Sequence, residues 1–108
     1  MKFTLHGTEL DAEYQEPTTN EDGSPLSDLA YTSIFYDMGA GPVNVVDLPA
    51  SLNTGGGVKN YTFNVPVLAK MESNVSVWVT ATDTSGNISA PSVPVDVRID
   101  RLAPSPPF

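Results

Sequence analysis

The stretch that decides the fold is VSVWVTATDTSGNISAPSVPVDVRI, residues 75–99. In residues 75–82 a valine or alanine stands at every second position, with serine, tryptophan or threonine between them. This period of two is typical of a β-strand that buries one face. Residues 93–99 repeat the pattern after the turn formers of residues 84–87, so the stretch predicts two antiparallel strands joined by a turn. The side chains predicted to point inward are Val75, Val77, Val79, Ala81, Val93, Val95, Val97 and Ile99.

Weaker alternation predicts further strands in the rest of the chain. They fall at residues 2–6, 9–15, 29–36, 43–48 and 58–65. Glycine, proline and asparagine separate these segments, and none of them shows a helical period. Short strands at regular spacing favour an all-β fold, a sandwich of two antiparallel sheets with about seven strands.

A chain of 108 residues has room for one domain. We expect this domain to cover residues 1–100 and the proline-rich segment 101–108 to form an extended tail. Leu68 and Met71 are expected to close one end of the core. Residues 72–74 are expected to form the turn that leads into the strand at residue 75.

The composition disfavours several classes of partner. Five Lys and Arg accompany 13 Asp and Glu, which gives a net charge of −8. A chain this acidic is a poor match for nucleic acid or an anionic membrane, and no stretch has the length needed to span a bilayer. The early acidic residues are expected to form a solvated strand face and loop, the alternative being an electrostatic match to a basic partner. These residues are Glu9, Asp11, Glu13, Glu16, Glu21, Asp22 and Asp28.

The first residues of the sequence bear on localisation. Residues 1–6 run directly into a strand pattern without the apolar segment of a leader peptide. If Met1 is the native start, we expect the product to remain in the cytoplasm in which it is made. If the chain is an excised module, that expectation does not apply.

Residue types suited to catalysis or metal binding are scarce. His6 is the only histidine and cysteine is absent, so nucleophilic triads and histidine- or cysteine-based metal sites lack their components. The acidic loop of residues 18–25 lacks the spaced oxygen ligands and terminal glutamate of a calcium loop. We therefore expect no catalytic residue, no cofactor and no metal.

Two segments resemble a fibronectin type III domain of the bacterial and bacteriophage kind. They are EPTTNEDGSPL, residues 16–26, with a strand after it, and VTATDTSGNISAPS, residues 79–92. The resemblance covers most of residues 10–99, and it implies an immunoglobulin-like sandwich in which the third strand and the strand of Trp78 are neighbours. Tyr14 stands where that family usually has a core tryptophan. Val75 stands where its corner tyrosine would be, so that hydrogen-bonded corner is not expected.

An aromatic surface is the best candidate for a binding site. Trp78 has the outward parity of its strand, and Tyr31 and Phe35 have the outward parity of the neighbour that the resemblance implies. These three side chains, together with Arg98, are predicted to form an exposed partner-binding patch. The alternative is an aromatic cluster that only stabilises the sheet, with Arg98 laid across the indole of Trp78.

Two hypotheses for function follow. The first is a structural accessory protein of a bacteriophage virion, either a capsid decoration or a tail-associated protein, since the resembled modules are common in phage virions. Its partners would be capsid or tail proteins or further copies of itself. The second is a spacer or carbohydrate-adhering module of a secreted bacterial glycoside hydrolase, with Trp78 as a sugar platform.

Overall fold

The computed structural model describes residues 1–68 and 70–107, and every regular element in this part of the chain is a β-strand. The expected all-β class is confirmed. The strands are β1 (Lys2–His6), β2 (Glu9–Gln15), β3 (Leu29–Asp37), β4 (Val43–Pro49), β5 (Val58–Asn64), β6 (Glu72–Asp83) and β7 (Val95–Asp100).

The seven strands form two antiparallel sheets. One sheet has three strands in the order β1-β2-β5, and the other has four in the order β4-β3-β6-β7. The strand β6 is the longest element and lies inside the larger sheet, between β3 and β7. Its central position explains why its alternating pattern is the clearest in the sequence, because one face of the strand packs on the core along most of its length.

The core lies between the two sheets and consists of the inward-facing side chains of both. On β6 the predicted inward residues Val75, Val77 and Val79 are buried, and Tyr14 is buried on β2. The Tyr14 hydroxyl forms a hydrogen bond of 2.6 Å with Thr32 Oγ1 across the sandwich. The buried core cluster is Leu10, Ala12, Tyr14, Ile34, Tyr36, Phe63, Val65, Val67, Val75, Val77, Val79 and Ile99.

The turn after β6 is held by the carboxylate of Asp83. Asp83 Oδ1 accepts hydrogen bonds of 2.9 Å from the backbone N–H groups of Ser85 and Asn87. Gly86 has a φ of 86°, which a residue with a side chain rarely adopts. The chain therefore reverses at the point where the apolar alternation of β6 stops.

The second arm begins later than predicted. Residues 88–94 run beside β6 without forming a strand, and Val93, predicted to point inward, is 84% exposed. Two serines make the contact instead. The backbone N–H of Ser89 donates to the carbonyl of Ala81, and the Ser89 hydroxyl accepts the N–H of Ala81. Ser92 forms the same two hydrogen bonds with Val79. Prolines at 91 and 94 cannot donate to a strand ladder, which explains the irregular path.

Two smaller predictions were wrong. Leu68 and Met71 are 73% and 54% exposed, and Val67 is the residue that is buried near this end of the core. Residues 72–74 belong to β6 and pair with β7. Near the end of β6 burial does not follow the two faces, since Thr82, opposite Tyr31 of the outer face, is buried and Ala81, opposite the inward-facing Thr32, is only partly buried. The pairing of β3 with β6 is regular through Tyr31 and Thr82 and shifts only beyond them, between Leu29 and Tyr31.

One early carboxylate is not solvated as predicted. Glu16 is only 2% exposed, at the end of the sandwich where the loops 16–28, 50–57 and 84–94 meet, which we call the loop end. Its Oε2 accepts the N–H of Ser51 and its Oε1 accepts the N–H of Gly57, both at 3.0 Å. The other early acids are exposed or half-buried. Glu16 thus ties the loop 50–57 to the end of β2.

Two glycines of the loop 50–57 are required because the loop lies very close to Glu16 and Pro17. A Cβ on Gly55 would lie 1.8 Å from the carbonyl oxygen of Pro17, and Gly55 has a φ of 71°. A Cβ on Gly57 would lie 2.7 Å from Glu16 Oε1. Gly55 and Gly57 are therefore required by the packing of this loop against Pro17 and Glu16.

The segment after β7 is extended and exposed as far as residue 107, while residue 108 of the predicted tail lies outside the described residues. The radius of gyration is 16.4 Å, larger than the value of about 13 Å that is usual for a compact domain of this length. Arg101 anchors the start of the segment through a hydrogen bond of 2.7 Å from Nη1 to the carbonyl of Val67.

Candidate interaction surface

The outer face of the four-stranded sheet carries a stacked pair of aromatic rings. Phe35 on β3 lies directly opposite Trp78 on β6. Their ring centroids are 5.9 Å apart and their planes differ by 6°. Both side chains are half-buried, while Ile34, Tyr36, Val77 and Val79 on the other face are buried. Trp78 therefore lies outside the space between the sheets, on the face that the period of two predicts.

Polar side chains border the pair on the β4 side. Asp47 Oδ1 accepts a hydrogen bond of 2.6 Å from the Ser33 hydroxyl and one of 3.2 Å from Asn44 Nδ2. Asn44 is the residue paired with Phe35 on β4. This side of the aromatic pair is thus held in place by a small hydrogen-bond network.

A second polar group borders the pair on the β7 side. The Ser76 hydroxyl donates to Asp96 Oδ1 at 2.7 Å. Arg98 donates from Nη1 to Asn74 Oδ1 at 3.1 Å, and its Nη2 forms an ion pair with Glu72. Asn74 is four residues from Trp78 along β6, a distance of about 13 Å. The guanidinium is therefore held away from the indole, so the alternative arrangement, with Arg98 laid across Trp78, is not the one that the structure has.

Tyr31 is on the same face but is not part of the stacked pair. It pairs with Thr82 on β6 and with Pro49 on β4, and it is half-buried. Four residues separate it from Phe35 along β3, which again corresponds to about 13 Å. Of the four predicted partner-binding residues, the structure brings Phe35 and Trp78 into contact and places Tyr31 and Arg98 at separate positions around them.

A cleft at the loop end is a second surface feature, and the sequence alone did not indicate it. It has a volume of about 400 Å³ and lies between the loop after β2 and the turn after β6. Leu26, Leu29 and Ile88 line it, and the carboxylates of Glu21, Asp22 and Asp83 are also among its lining residues. The individual turns were predictable, but their approach across the end of the sandwich depends on how the two sheets pack.

Two of the cleft carboxylates are fixed by their own turns. The side chain and backbone N–H of Ser24 both donate to Asp22 Oδ1 and lower the pKa of that carboxyl below its usual range. The Asn87 side chain is the main cause of a lowered pKa at Asp83, helped by the backbone N–H of Asn87. Hydrogen bonds of this kind favour the charged form, so both groups are anionic at neutral pH.

The sole histidine lies on the outer face of the three-stranded sheet. Its Nε2 is 3.3 Å from Asp11 Oδ2, and the two side chains are 63% and 44% exposed. Across the described ranges, 1–68 and 70–107, there is no group of three or more His, Cys, Asp or Glu arranged to hold a metal ion. The same ranges contain no helix long and apolar enough to cross a bilayer.

Comparisons of the chain with protein-family models, with curated proteins and with solved structures found no match. The class of protein is accordingly defined by the fold itself, an all-β protein of two antiparallel sheets with three and four strands.

Proposed function

We propose that this protein is a non-enzymatic structural module that acts through protein–protein contacts, as an accessory protein of a bacteriophage virion. The observation that carries the binding role is the stacked pair of Phe35 and Trp78 on the outer face of the four-stranded sheet. The fibronectin type III resemblance supplies the virion setting. The adjacency of β3 and β6 supports that resemblance, since the family arrangement makes these two strands neighbours.

The surroundings of the pair favour a protein partner. Protein–protein interfaces commonly have an apolar, aromatic centre and a polar rim. Here the aromatic pair lies between the Ser33–Asn44–Asp47 network on one side and the Ser76–Asp96 and Arg98–Glu72 pairs on the other. Because these polar groups already bond one another, a partner can cover the centre without leaving them unpaired.

The virion setting is tested on purified particles of a phage that encodes the chain. Electron cryomicroscopy should show a seven-stranded sandwich repeated with the symmetry of the capsid or the tail, and mass spectrometry should find the chain in the same particles. Absence of the chain from intact virions would refute this setting.

The binding face is tested by substitution. Trp78→Ser should reduce attachment of the purified protein to particles that lack it by at least tenfold, because the apolar centre is lost. Tyr31→Ser is the matched control, an aromatic residue on the same face but outside the stacked pair, and it should reduce attachment much less. Thermal unfolding of each variant shows whether the fold is intact. Equal losses for both variants would contradict the assignment of Phe35 and Trp78 as the centre.

The second candidate function is adhesion to carbohydrate, which the near-parallel aromatic rings also suit. A sugar ring stacks on an aromatic face, and a secreted hydrolase would use such a module to hold its substrate. Sedimentation of the protein with insoluble cellulose and chitin distinguishes the two functions. Retention that Trp78→Ser abolishes supports the carbohydrate function, and retention that is absent or independent of Trp78 argues against it.

A further inference from the structure

The cleft at the loop end combines an apolar lining with an acidic border. Leu26 and Leu29 are buried at its base, and Ile88 on the turn side is 67% exposed. An aliphatic side chain that is this exposed beside a concave surface is available to cover a ligand group. The volume of about 400 Å³ is within the range of sites that hold a small ligand or a few side chains.

The charges around the cleft all have the same sign. Glu21 and Asp22 lie on one side, Asp83 lies on the other, and none of the five Lys and Arg residues is among the lining residues. The whole chain carries −8. A concave site bordered by one sign of charge concentrates ligands of the opposite sign.

We propose that this cleft binds a segment of another protein in which one aliphatic side chain is flanked by lysine or arginine. The aliphatic group would contact Leu26, Leu29 and Ile88, and the flanking cations would lie near Glu21, Asp22 and Asp83. This site is distinct from the aromatic face, because Trp78 is five residues from Asp83 along β6, or about 17 Å. The module would then join two partners through two surfaces.

Charge and geometry favour this occupant over a segment of the same chain. The proline-rich segment leaves from Asp100, which pairs with Glu72 at the far end of β6 from Asp83. Glu72 and Asp83 are eleven residues apart along β6, which corresponds to about 36 Å. The segment therefore begins too far from the cleft of its own chain to be its natural occupant. A second copy would bring a net charge of −8 to an acidic site, and like charges oppose that encounter.

The test is a nuclear magnetic resonance titration of the ¹⁵N-labelled full chain with the capped peptide GKKLKKG. The largest shifts are expected at the amides of Leu26, Leu29, Ala81 and Ile88. Two control peptides separate the contributions. GKKSKKG should bind at least about tenfold more weakly than GKKLKKG, because the aliphatic group is lost. GEELEEG should not bind.

A pair of double variants tests the role of the border. Glu21→Gln with Asp22→Asn should weaken binding of GKKLKKG about fivefold at low salt, as expected for the loss of two nearby charges. The substitution Asp22→Asn keeps a side-chain oxygen that can accept the hydrogen bonds from Ser24. Glu9→Gln with Glu13→Gln removes the same charge from the exposed face of β2, and it should leave the affinity nearly unchanged.

Several outcomes would overturn the proposal. They are an absence of shifts at millimolar peptide, equal binding of the leucine and serine peptides, and equal effects of the two double variants. Shifts centred on Trp78 and Phe35 would move the site to the aromatic face. Shifts at the cleft that depend on protein concentration without peptide would indicate self-association instead. A failure of this test leaves the two experiments above unaffected, since one detects the chain in virions and the other depends on Trp78.

Discussion

The buried carboxylate of Glu16 is expected to be one of the main stabilising groups of the fold, and Glu16→Ala tests this. The substitution removes two hydrogen bonds of 3.0 Å, from the backbone N–H groups of Ser51 and Gly57. A hydrogen bond to a charged group contributes about 1.5 to 3 kcal/mol, and rehydration of the freed N–H groups recovers part of this. We expect the free energy of unfolding to fall by about 2 to 4 kcal/mol.

The assay is equilibrium unfolding in urea, with hydrogen exchange as a local readout. A loss of this size is a large part of the total stability of a small domain, which is about 5 to 15 kcal/mol. The exchange of the Ser51 and Gly57 amides should accelerate more than that of amides in β6, because the loop 50–57 loses its attachment before the sheets separate.

The matched control is Glu13→Ala, which lies on β2 three residues before Glu16 but has an exposed side chain. It should change the stability by no more than about 0.5 kcal/mol. Similar losses for the two variants would refute the view that Glu16 is an internal tether. Unchanged protection of the Ser51 and Gly57 amides in Glu16→Ala would also refute it.

Two further predictions concern the same end of the molecule. Gly55→Ala should destabilise the fold by more than about 3 kcal/mol, because the residue has a positive φ and its Cβ would lie 1.8 Å from the Pro17 carbonyl oxygen. Gly86→Ala is the control, at a similar φ but in open space, and should cost about 1 to 2 kcal/mol. Comparable urea midpoints for the two variants would contradict this prediction. Burial raises the pKa of Tyr14 above 10.0, so its contribution is complete below that pH and is lost as the pH rises through the folded-state pKa. Tyr14→Phe should therefore lose about 1 kcal/mol at pH 8, and the difference from the unchanged protein should shrink in strongly alkaline urea titrations; a constant difference would show that the phenol does not titrate in this way.

The sequence predicts which face of a strand is buried wherever apolar and polar side chains alternate along it and one face packs on the core. This holds for β6 up to Val79 and for β2, where Leu10, Ala12 and Tyr14 are buried. Glu16 continues the even-numbered inward parity of β2, so the pattern itself contained the signal for its burial. The charge of Glu16 pointed to an exposed side chain instead, because carboxylates are usually solvated. The backbone N–H groups that bond the buried carboxylate come from a loop 35 residues or more away, and the local pattern does not show them.

The second arm of the decisive stretch shows where alternation misleads. Val93 has the same parity as Val95, but the chain between Ile88 and Pro94 is held to β6 by serine side chains and not by a strand ladder. A period of two has meaning only while the backbone remains a strand. The prolines at 91 and 94 were the available sign that it does not.

The aromatic face was only partly predictable. Outward parity identified Phe35 and Trp78, but their contact depends on β3 lying beside β6 and on the register that places the two residues opposite each other. The resemblance implied the adjacency and could not supply the register. The spacing of four residues along β3 already separates Tyr31 from Phe35, and the register, which pairs Tyr31 with Thr82, separates it from Trp78.

The cleft and the tether are connected through the loops that they share, and this bears on how the cleft could bind. Pro17, one of the cleft residues, directly follows Glu16, whose backbone N–H donates to the Gly57 carbonyl at 2.8 Å. The two sides of the cleft are also joined, since the N–H of Thr84 donates to the carbonyl of Asp28 at 2.9 Å. A site whose walls are fixed before binding loses little conformational entropy when a partner arrives. The hydrogen bonds that stabilise the loop end therefore also favour binding there, and Glu16→Ala should weaken peptide binding even though Glu16 is not among the residues that line the cleft.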